Sequence, residues 1–477
     1  MFVDRRWLLR SAAAGAAVVA ARPLMGSAMA SPAVGMAGEA AAPIALTVVP
    51  IDLFASSTFN DQALFALGAA SSQSAEVGEV LRIAQTINVH TGDPADPATG
   101  AFDTYCDAFS QYGDDIAKRA ASSGDSHAVT TRNRLMRASM YAAQELFFVL
   151  GSSDGGREER VFDRAQARWM HSVALFEPAV EHSQVPSPFG PIPVHFFASP
   201  LGSGRRPTVI ISEGSDGQNV ETMQFGVTAA LSRGYNVVLF EGPGQMSLLF
   251  KRNVMFTPNW NQVVAPVLSW TRRRADVGKV ALVGISFGGM LCARAAARVG
   301  GLDAVVLEPA AYDFPAMWGD QKSMGLVKET YRAPAKEKDG ARQGLNHGFL
   351  ETWPTMPRTE QFVIYKRGSI FDRQVQREAR AGQPLSDYYG LLEAMLPFQF
   401  GGDFRTITIP TLVLGNEGDP FFGSQPKEAF AMLDKVPTSR KAYVHLTAQK
   451  GASLHDQPVG PQVAEEAVFD WLDDQLR

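Results

Sequence analysis

The sequence predicts an α/β protein: a mostly parallel sheet flanked by helices, with a helical N-terminal domain and a cap insertion. Three observations carry this. Short apolar, β-branched runs alternate with amphipathic segments from residue 186 onward. One such run enters the G-x-S-x-G pentapeptide Gly284–Gly288 and is followed by a small-residue segment of helical character. The alternation stops at Tyr312 and resumes after Arg405. At 477 residues, 45% of them hydrophobic and 19% charged, the chain has the size and composition of a globular enzyme with additions to its main domain. A formal net charge of −5 supplies no basic field for nucleic acid or an anionic membrane.

The elements follow in order. Residues 1–30 carry Arg5-Arg6-Trp7-Leu8-Leu9 ahead of a mild apolar run, Ser11 to Ala21, and a small-residue Ala28-Met29-Ala30 site. This pattern resembles a twin-arginine signal peptide cleaved near Ala30, with Asp4 and Leu8 departing from its usual form. The apolar run is short and rich in Ala and Gly, too weak for a membrane span, so a periplasmic or secreted protein is expected with no stable span after signal removal. Only two cysteines occur, Cys106 and Cys292, and they are expected as unrelated core thiols.

From residue 45 to 185 the pattern is helical. Thr130–Leu150 repeats apolar residues at Leu135, Met136, Met140, Ala143, Leu146 and Phe147, and Val161–Phe176 does the same. A loop with two Asp-Pro pairs, Thr91–Gly100, separates earlier segments. Residues 186–311 form the first part of the α/β core: an extended Pro191–Phe197, strands Pro207–Ile211, Tyr235–Phe240, Lys279–Val283 and Asp303–Leu307, and helices Asn219–Arg233, Asn261–Ala275 and Met290–Val299. Residues 312–405 are the cap insertion. Its aromatics Trp318, Trp353, Phe362, Tyr388 and Tyr389 either line a pocket or pack, and packing is the default. Residues 406–477 complete the core with strands Pro410–Gly415 and Lys441–Leu446, a helix from Gln425 and a final helix Pro461–Leu476.

The chemistry starts at Ser286. A serine between glycines on a strand-to-helix turn is a candidate nucleophile, lifted above the end of the sheet. With 43 glycines a chance match is not rare, and Gly151-Ser-Ser153-Asp-Gly155 is one, set between two helical segments. A serine nucleophile needs a base, and the base needs a carboxylate to fix its tautomer. Asp419, on the turn leaving strand Pro410–Gly415, and His455, in the loop after the last strand, follow in the required order. Glu417 is the rival acid and His445, within the last strand, the rival base. An oxyanion hole is expected from the N–H of Phe287 and an N–H of the loop Ser212–Gly217, with Ser215 the choice. Glu213 is unusual there, because a carboxylate repels a developing oxyanion. It is either a buried structural acid, paired or protonated, or an aid to proton transfer. Glu241-Gly-Pro-Gly-Gln245 fails as a dinucleotide fingerprint, since Ser247 stands where the third glycine belongs. No metal-ligand spacing is present, and neither metal nor cofactor is expected.

Glu213–Gly217, Glu241–Gln245, Gly284–Gly288, Gly418-Asp-Pro420 and Gly451–His455 together resemble one α/β-hydrolase group. That group includes 2,6-dihydroxypseudooxynicotine hydrolase, fungal pigment polyketide-shortening hydrolases and FrsA-like esterases, and the resemblance covers roughly residues 130–475. It implies the α/β-hydrolase fold and cofactor-free Ser-Asp-His enzymes whose site lies between the N-terminal helices and the core. Several members break a carbon–carbon bond beside a ketone and others cleave esters. Relatives carry a Glu near the nucleophile, which fits Glu213. Met246 stands where Gly is frequent after the G-P-G-Q run, and Asp456 stands where Cys is frequent after the histidine. An export signal is atypical of the group. The expected function is therefore an exported serine hydrolase acting through an acyl-enzyme on a small-molecule ester or ketone-adjacent carbon–carbon bond. The alternatives are an amide or peptide hydrolase on the same triad and a non-catalytic exported binding protein. The expected partner is a small-molecule substrate, with a homodimer left open.

Overall fold

The computed structural model describes residues 47–123 and 125–477, so the expected signal peptide lies outside the described residues. The chain begins with helices Ser57–Gly68, Val77–Thr91, Thr99–Ser123, Ala128–Phe148 and Glu158–Val173. Their apolar residues recur at helical spacing and meet in an aromatic core. Phe59 and Phe148 set their rings 5.0 Å apart at 68°, and Tyr105 and Phe148 lie 4.6 Å apart at 71°. Edge-to-face pairs of this kind add about 0.5–1.5 kcal/mol beyond the area they bury. The Gly151–Gly155 decoy is a turn between two of these helices.

One eight-stranded sheet follows, in the order β1-β2-β4-β3-β5-β6-β7-β8. The strands are β1 Glu181–Val185, β2 Ile192–Phe197, β3 Arg206–Ser212, β4 Asn236–Phe240, β5 Val277–Ile285, β6 Ala304–Glu308, β7 Thr411–Asn416 and β8 Lys441–Leu446. β1 and β2 pair antiparallel, β2 joins β4 antiparallel, and β4, β3, β5, β6, β7 and β8 run parallel. β4, β6 and β7 are buried at every position. Their Val- and Leu-rich runs suit strands covered by helices on both faces. From β3 the chain steps first to β4 on one side, then to β5 on the other. Loops leaving the carboxyl ends of β3 and β5 therefore diverge and leave a crevice, where open sheets of this type bind ligands.

Two elements differ from expectation. The helical pattern read up to residue 185 ends earlier, and Glu181–Val185 is an edge strand in register with β2. The helix expected over Asn219–Arg233 is confined to Val227–Ser232 after a short 3-10 turn at Glu221–Met223. Gly226 at φ 109° breaks the run, a backbone conformation open to glycine. Residues between 312 and 405 are helical, and Trp318, Trp353, Phe362, Tyr388 and Tyr389 are all buried, as packing requires. Phe362 sits 5.2 Å from both Phe102 and Phe148, which fastens this segment to the N-terminal helices. Cys106 and Cys292 are buried free thiols.

The helix after the pentapeptide, Phe287–Arg298, is pinned from outside. Arg294 and Arg298 each donate to the buried Asp403, at 2.9 and 2.7 Å, and Arg294 lies 3.6 Å over the Phe400 ring. Removing Asp403 leaves the mostly buried Arg294 without its counter-charge. Asp403→Ala is expected to lower unfolding stability by about 3 kcal/mol, the cost of orphaning a buried ion. Urea denaturation measures this, and a loss below about 1 kcal/mol, the range of an exposed pair, would contradict the burial argument.

Candidate active site

Ser286 occupies the turn between β5 and its helix at φ 54° and ψ −126°. This left-handed backbone is costly for a residue with a Cβ and persists only where surroundings enforce it. The Ser286 N–H donates to the Glu308 carbonyl at 2.7 Å, and the Gly289 N–H donates to the Ser286 carbonyl at 2.9 Å. Gly288 lets the turn close, because a Cβ there would lie 2.4 Å from the Ser212 carbonyl oxygen. Gly214 does the same from the facing loop, where a Cβ would sit 2.7 Å from Cβ of Ser286 and 3.1 Å from the Phe287 nitrogen.

The structure brings the three main expected residues into one line. Ser286 Oγ is 2.8 Å from His455 Nε2, and His455 Nδ1 is 2.9 Å from Asp419 Oδ2. Asp419 also accepts from the N–H groups of Phe421 at 2.8 Å and Phe422 at 3.1 Å. Burial works against this carboxylate, but His455 and those two N–H donors hold its carboxyl below the ordinary carboxylate value. An acceptor-only carboxylate at Nδ1 assigns the ring proton there and leaves Nε2 free to accept from the serine. Phe421 and Phe422 stand edge-on to the imidazole at 4.9 and 5.0 Å. The rivals are elsewhere. Glu417 accepts from the Ala448 N–H at 2.8 Å, and His445 is exposed on the edge strand β8.

The loop after β3 faces the serine. The Gly214 N–H is already taken by the Glu213 carboxyl group. Among the described residues the N–H groups of Ser215 and Phe287 have no hydrogen-bond acceptor. The loop backbone is held from below by Gln245, whose Nε2 donates to the carbonyls of Glu213 and Gly214. Glu213 is 5% exposed. Burial, reinforced by Glu221 and Asp456, pushes its carboxyl well above the usual carboxylate range. A neutral Glu213 removes the repulsion that a carboxylate would bring to this loop. Ser215 and Asp216 are tied to the cap helix Arg358–Gly368: Arg367 donates to Ser215 Oγ at 2.9 Å and to Asp216 Oδ2. Its guanidinium lies 5.1 Å over Phe421.

Three groups of the site were not expected. Asp456 turns its Oδ2 to within 3.3 Å of His455 Nε2, on the side facing Ser286. Asp61, on the first helix, lies within electrostatic reach of His455, and burial pushes its carboxyl up to about 6. Arg367 arrives from the cap. Adjacency to His455 was the one sequence signal for Asp456; the other two approach from distant segments. The N-terminal segment also touches the histidine loop directly, since Ser453 Oγ donates to the Val48 carbonyl at 2.6 Å. Among the described residues no group of three or more His, Cys, Asp or Glu side chains is arranged to hold a metal ion. None of their helices is long and apolar enough to cross a membrane.

Comparison with known proteins agrees with this architecture. The profile described as "Alpha/beta hydrolase family" matches residues 220–464. Hydrolase ORFZ of Pyricularia oryzae is 27% identical over 379 residues, 76% of this chain and 84% of that protein. Hydrolase LUC6 of a Fusarium species is 29% identical over 449 residues, 88% of this chain and 97% of that protein. The crystal structure of 2,6-dihydroxy-pseudo-oxynicotine hydrolase shares the fold at a TM-score of 0.60 and 17% identity, covering 86% of this chain and 95% of that one.

The two carboxylates flanking His455 lead to a direct measurement. Burial opposes protonation of the ring, but Asp456 and then Asp419 outweigh it and raise His455 above an ordinary histidine. Above about pH 7, where Asp456 is ionised, Asp456→Asn removes one of the two charges, so the histidine's titration is expected to move down by roughly one to three pH units, the range for losing a charge at this distance. Nitrogen-15 NMR of the imidazole reads this, and an unchanged titration would exclude Asp456 as an electrostatic partner of the ring.

Proposed function

Because the chain belongs to the alpha/beta hydrolase family, we propose that it is a serine hydrolase for a small molecule, acting through Ser286, His455 and Asp419. The observation that supports this most is the unbroken hydrogen-bonded line from Ser286 Oγ through both imidazole nitrogens to the buried Asp419 carboxylate. In the proposed reaction His455 Nε2 takes the Oγ proton while Oγ bonds to a carbonyl carbon, and Asp419 stabilises the resulting imidazolium. The oxygen that gains charge is met by the N–H groups of Phe287 and Ser215, each worth on the order of 10²–10³ in turnover. Collapse expels the leaving group and leaves an acyl group on Ser286. Water, activated by the same histidine, then releases the acid.

The bond proposed for cleavage is an ester or a carbon–carbon bond beside a ketone, because the two reactions differ only in the leaving group that must be protonated. Relatives named as hydrolases, among them a 20-hydroxy-prefusarin hydrolase of Gibberella moniliformis that is 29% identical over 259 residues, favour a small organic substrate. Export through the twin-arginine route is proposed on Arg5, Arg6 and the segment to Ala30.

Two experiments test these proposals. A fluorophosphonate should label the unmodified protein at Ser286. Ser286→Ala should lose the label and about 10⁶ in turnover on a panel of aryl esters and 1,3-diketones, on the subtilisin precedent. Full activity in Ser286→Ala would remove the serine mechanism. For export, replacing Arg5 and Arg6 together by Lys should shift the protein from the periplasmic or secreted fraction to the cytoplasm. An unchanged distribution would discard the twin-arginine route.

A further inference from the structure

Asp456 has no assigned part in the reaction above, yet its placement is unusual in three independent ways. Its Oδ2 shares His455 Nε2 with the nucleophile, at 3.3 Å against 2.8 Å for Ser286 Oγ. Its other oxygen, Oδ1, is buried without a hydrogen-bond partner among the described residues, although the side chain is almost wholly enclosed. Its loop is strained: Leu454, Asp456 and Gln457 stand at φ 71°, 54° and 38°, a left-handed backbone that side chains rarely adopt. Surrounding groups enforce that conformation. Asn416 Nδ2 donates to the Leu454 carbonyl at 2.7 Å and to Gln457 Oε1 at 2.9 Å, and Gln457 Nε2 donates to Glu308 Oε1 at 2.6 Å. The large majority of buried side-chain polar atoms have a hydrogen-bond partner. This one is held in a strained loop with one oxygen on the base and the other unused.

We propose that Asp456 is a further catalytic residue: a neutral carboxylic acid that protonates the departing atom and is recharged by His455. The proposal rests on the serine-hydrolase reading above and narrows its substrate class to carbonyl compounds with a poor leaving group, an alkyl oxygen or a ketone-stabilised carbon. The groups facing Asp456 come from each neighbouring loop: His455 on its own loop, Asp419 after β7, Asp216 and Glu213 after β3, and Glu308 at the end of β6. Arg367 bears on it through His455. Burial favours the protonated acid; His455 is the next largest influence and opposes it, as does the Ser286 backbone, while Asp419 and Asp216 side with burial and the carboxyl is pushed up to about 7.

The protons balance. As Ser286 Oγ bonds to the carbonyl carbon, its proton moves to His455 Nε2 and the carbonyl π pair moves to oxygen. On collapse that pair re-forms the C=O bond, and the bond to the leaving atom breaks with its electrons on that atom. The leaving atom takes the Asp456 proton. The new carboxylate takes the Nε2 proton of the imidazolium. The acyl-enzyme then holds a neutral histidine and a neutral Asp456, ready for water. A leaving atom that is stable as an anion needs none of this, so the acid matters only where the anion is strongly basic.

Leaving-group dependence separates this role from a structural one. Asp456→Asn keeps the shape and removes the acid. Turnover is compared on p-nitrophenyl acetate, whose leaving anion is weakly basic, and on ethyl acetate and 2,4-pentanedione, whose anions are not. The expected result is a loss on whichever poor-leaving-group substrate the unmodified protein accepts that exceeds the loss on p-nitrophenyl acetate by about 10²–10⁴, with fluorophosphonate labelling of Ser286 still detectable. Equal losses on both classes, no loss on either, or an unmodified protein active on p-nitrophenyl acetate alone would overturn the proposal. Should the variant fail to fold, the unmodified protein decides. Its rate on the poor-leaving-group substrate relative to p-nitrophenyl acetate should fall as rising pH ionises Asp456, and a flat ratio overturns the role. Failure of the underlying serine reading looks different: the unmodified protein takes no label at Ser286.

Discussion

The backbone of Ser286 is the constraint on which the site depends. At φ 54° and ψ −126° it stores strain of order 1–3 kcal/mol, and the neighbouring loops are shaped by the need to hold it there. The Glu308 carbonyl takes its N–H, Gly288 lets the helix start press on the end of β3, and Gly214 brings the facing loop into contact with the serine Cβ. Where the turn tightens, the Phe287 N–H at the start of the helix is left without an intrahelical acceptor, as first-turn N–H groups are. Strain on the serine and an unpaired donor beside it thus have one geometric cause.

Around that point the electrostatics are more acidic than a serine, a histidine and one carboxylate require. Asp456 and Glu213 lie against the same few side chains, and Asp61 reaches toward them from the first helix. Burial and mutual repulsion both oppose ionisation, so this many carboxylates cannot all stay charged side by side. The molecule divides the labour: Asp419 remains charged because two N–H groups and the imidazole support it, while burial outweighs the single Gly214 N–H on Glu213 and the pull of His455 on Asp456 and pushes both carboxyls up. Asp216 escapes the same pressure because Arg367 and Lys366 of the cap outweigh the cost of its burial.

How much of this was legible in the sequence depends on what each residue needs in order to act. Ser286, Asp419 and His455 sit on loops directly after β5, β7 and β8, so chain order and strand periodicity were enough to find them. The parallel core was legible for the same reason, since buried strands write unbroken apolar runs. Asp456 was visible as a neighbour of His455, but its direction is set by a left-handed backbone that no residue type at 454–457 announces. Asp61 and Arg367 come from the N-terminal helices and the cap, and only tertiary packing brings them near. β1 was missed because Glu181–Val185 is a mostly exposed edge strand of polar residues, with no apolar alternation to set it apart from the preceding helix. The helix expected to fill Asn219–Arg233 was overestimated because its apolar spacing runs straight through Gly226.

The hydrogen bond between Ser453 and Val48 spans 405 positions, so the loop carrying His455 is buttressed by the first described residues although most of the described chain lies between them. A polypeptide that stops short of residue 455 has no imidazole to set beside the hydroxyl. Contacts of such separation form late, after the loop-closure entropy of the intervening chain has been overcome. The hydroxyl and the imidazole are therefore brought together by a contact of long range: the turn of Ser286 is built from nearby strands, whereas the His455 loop takes its support from a segment 405 positions away.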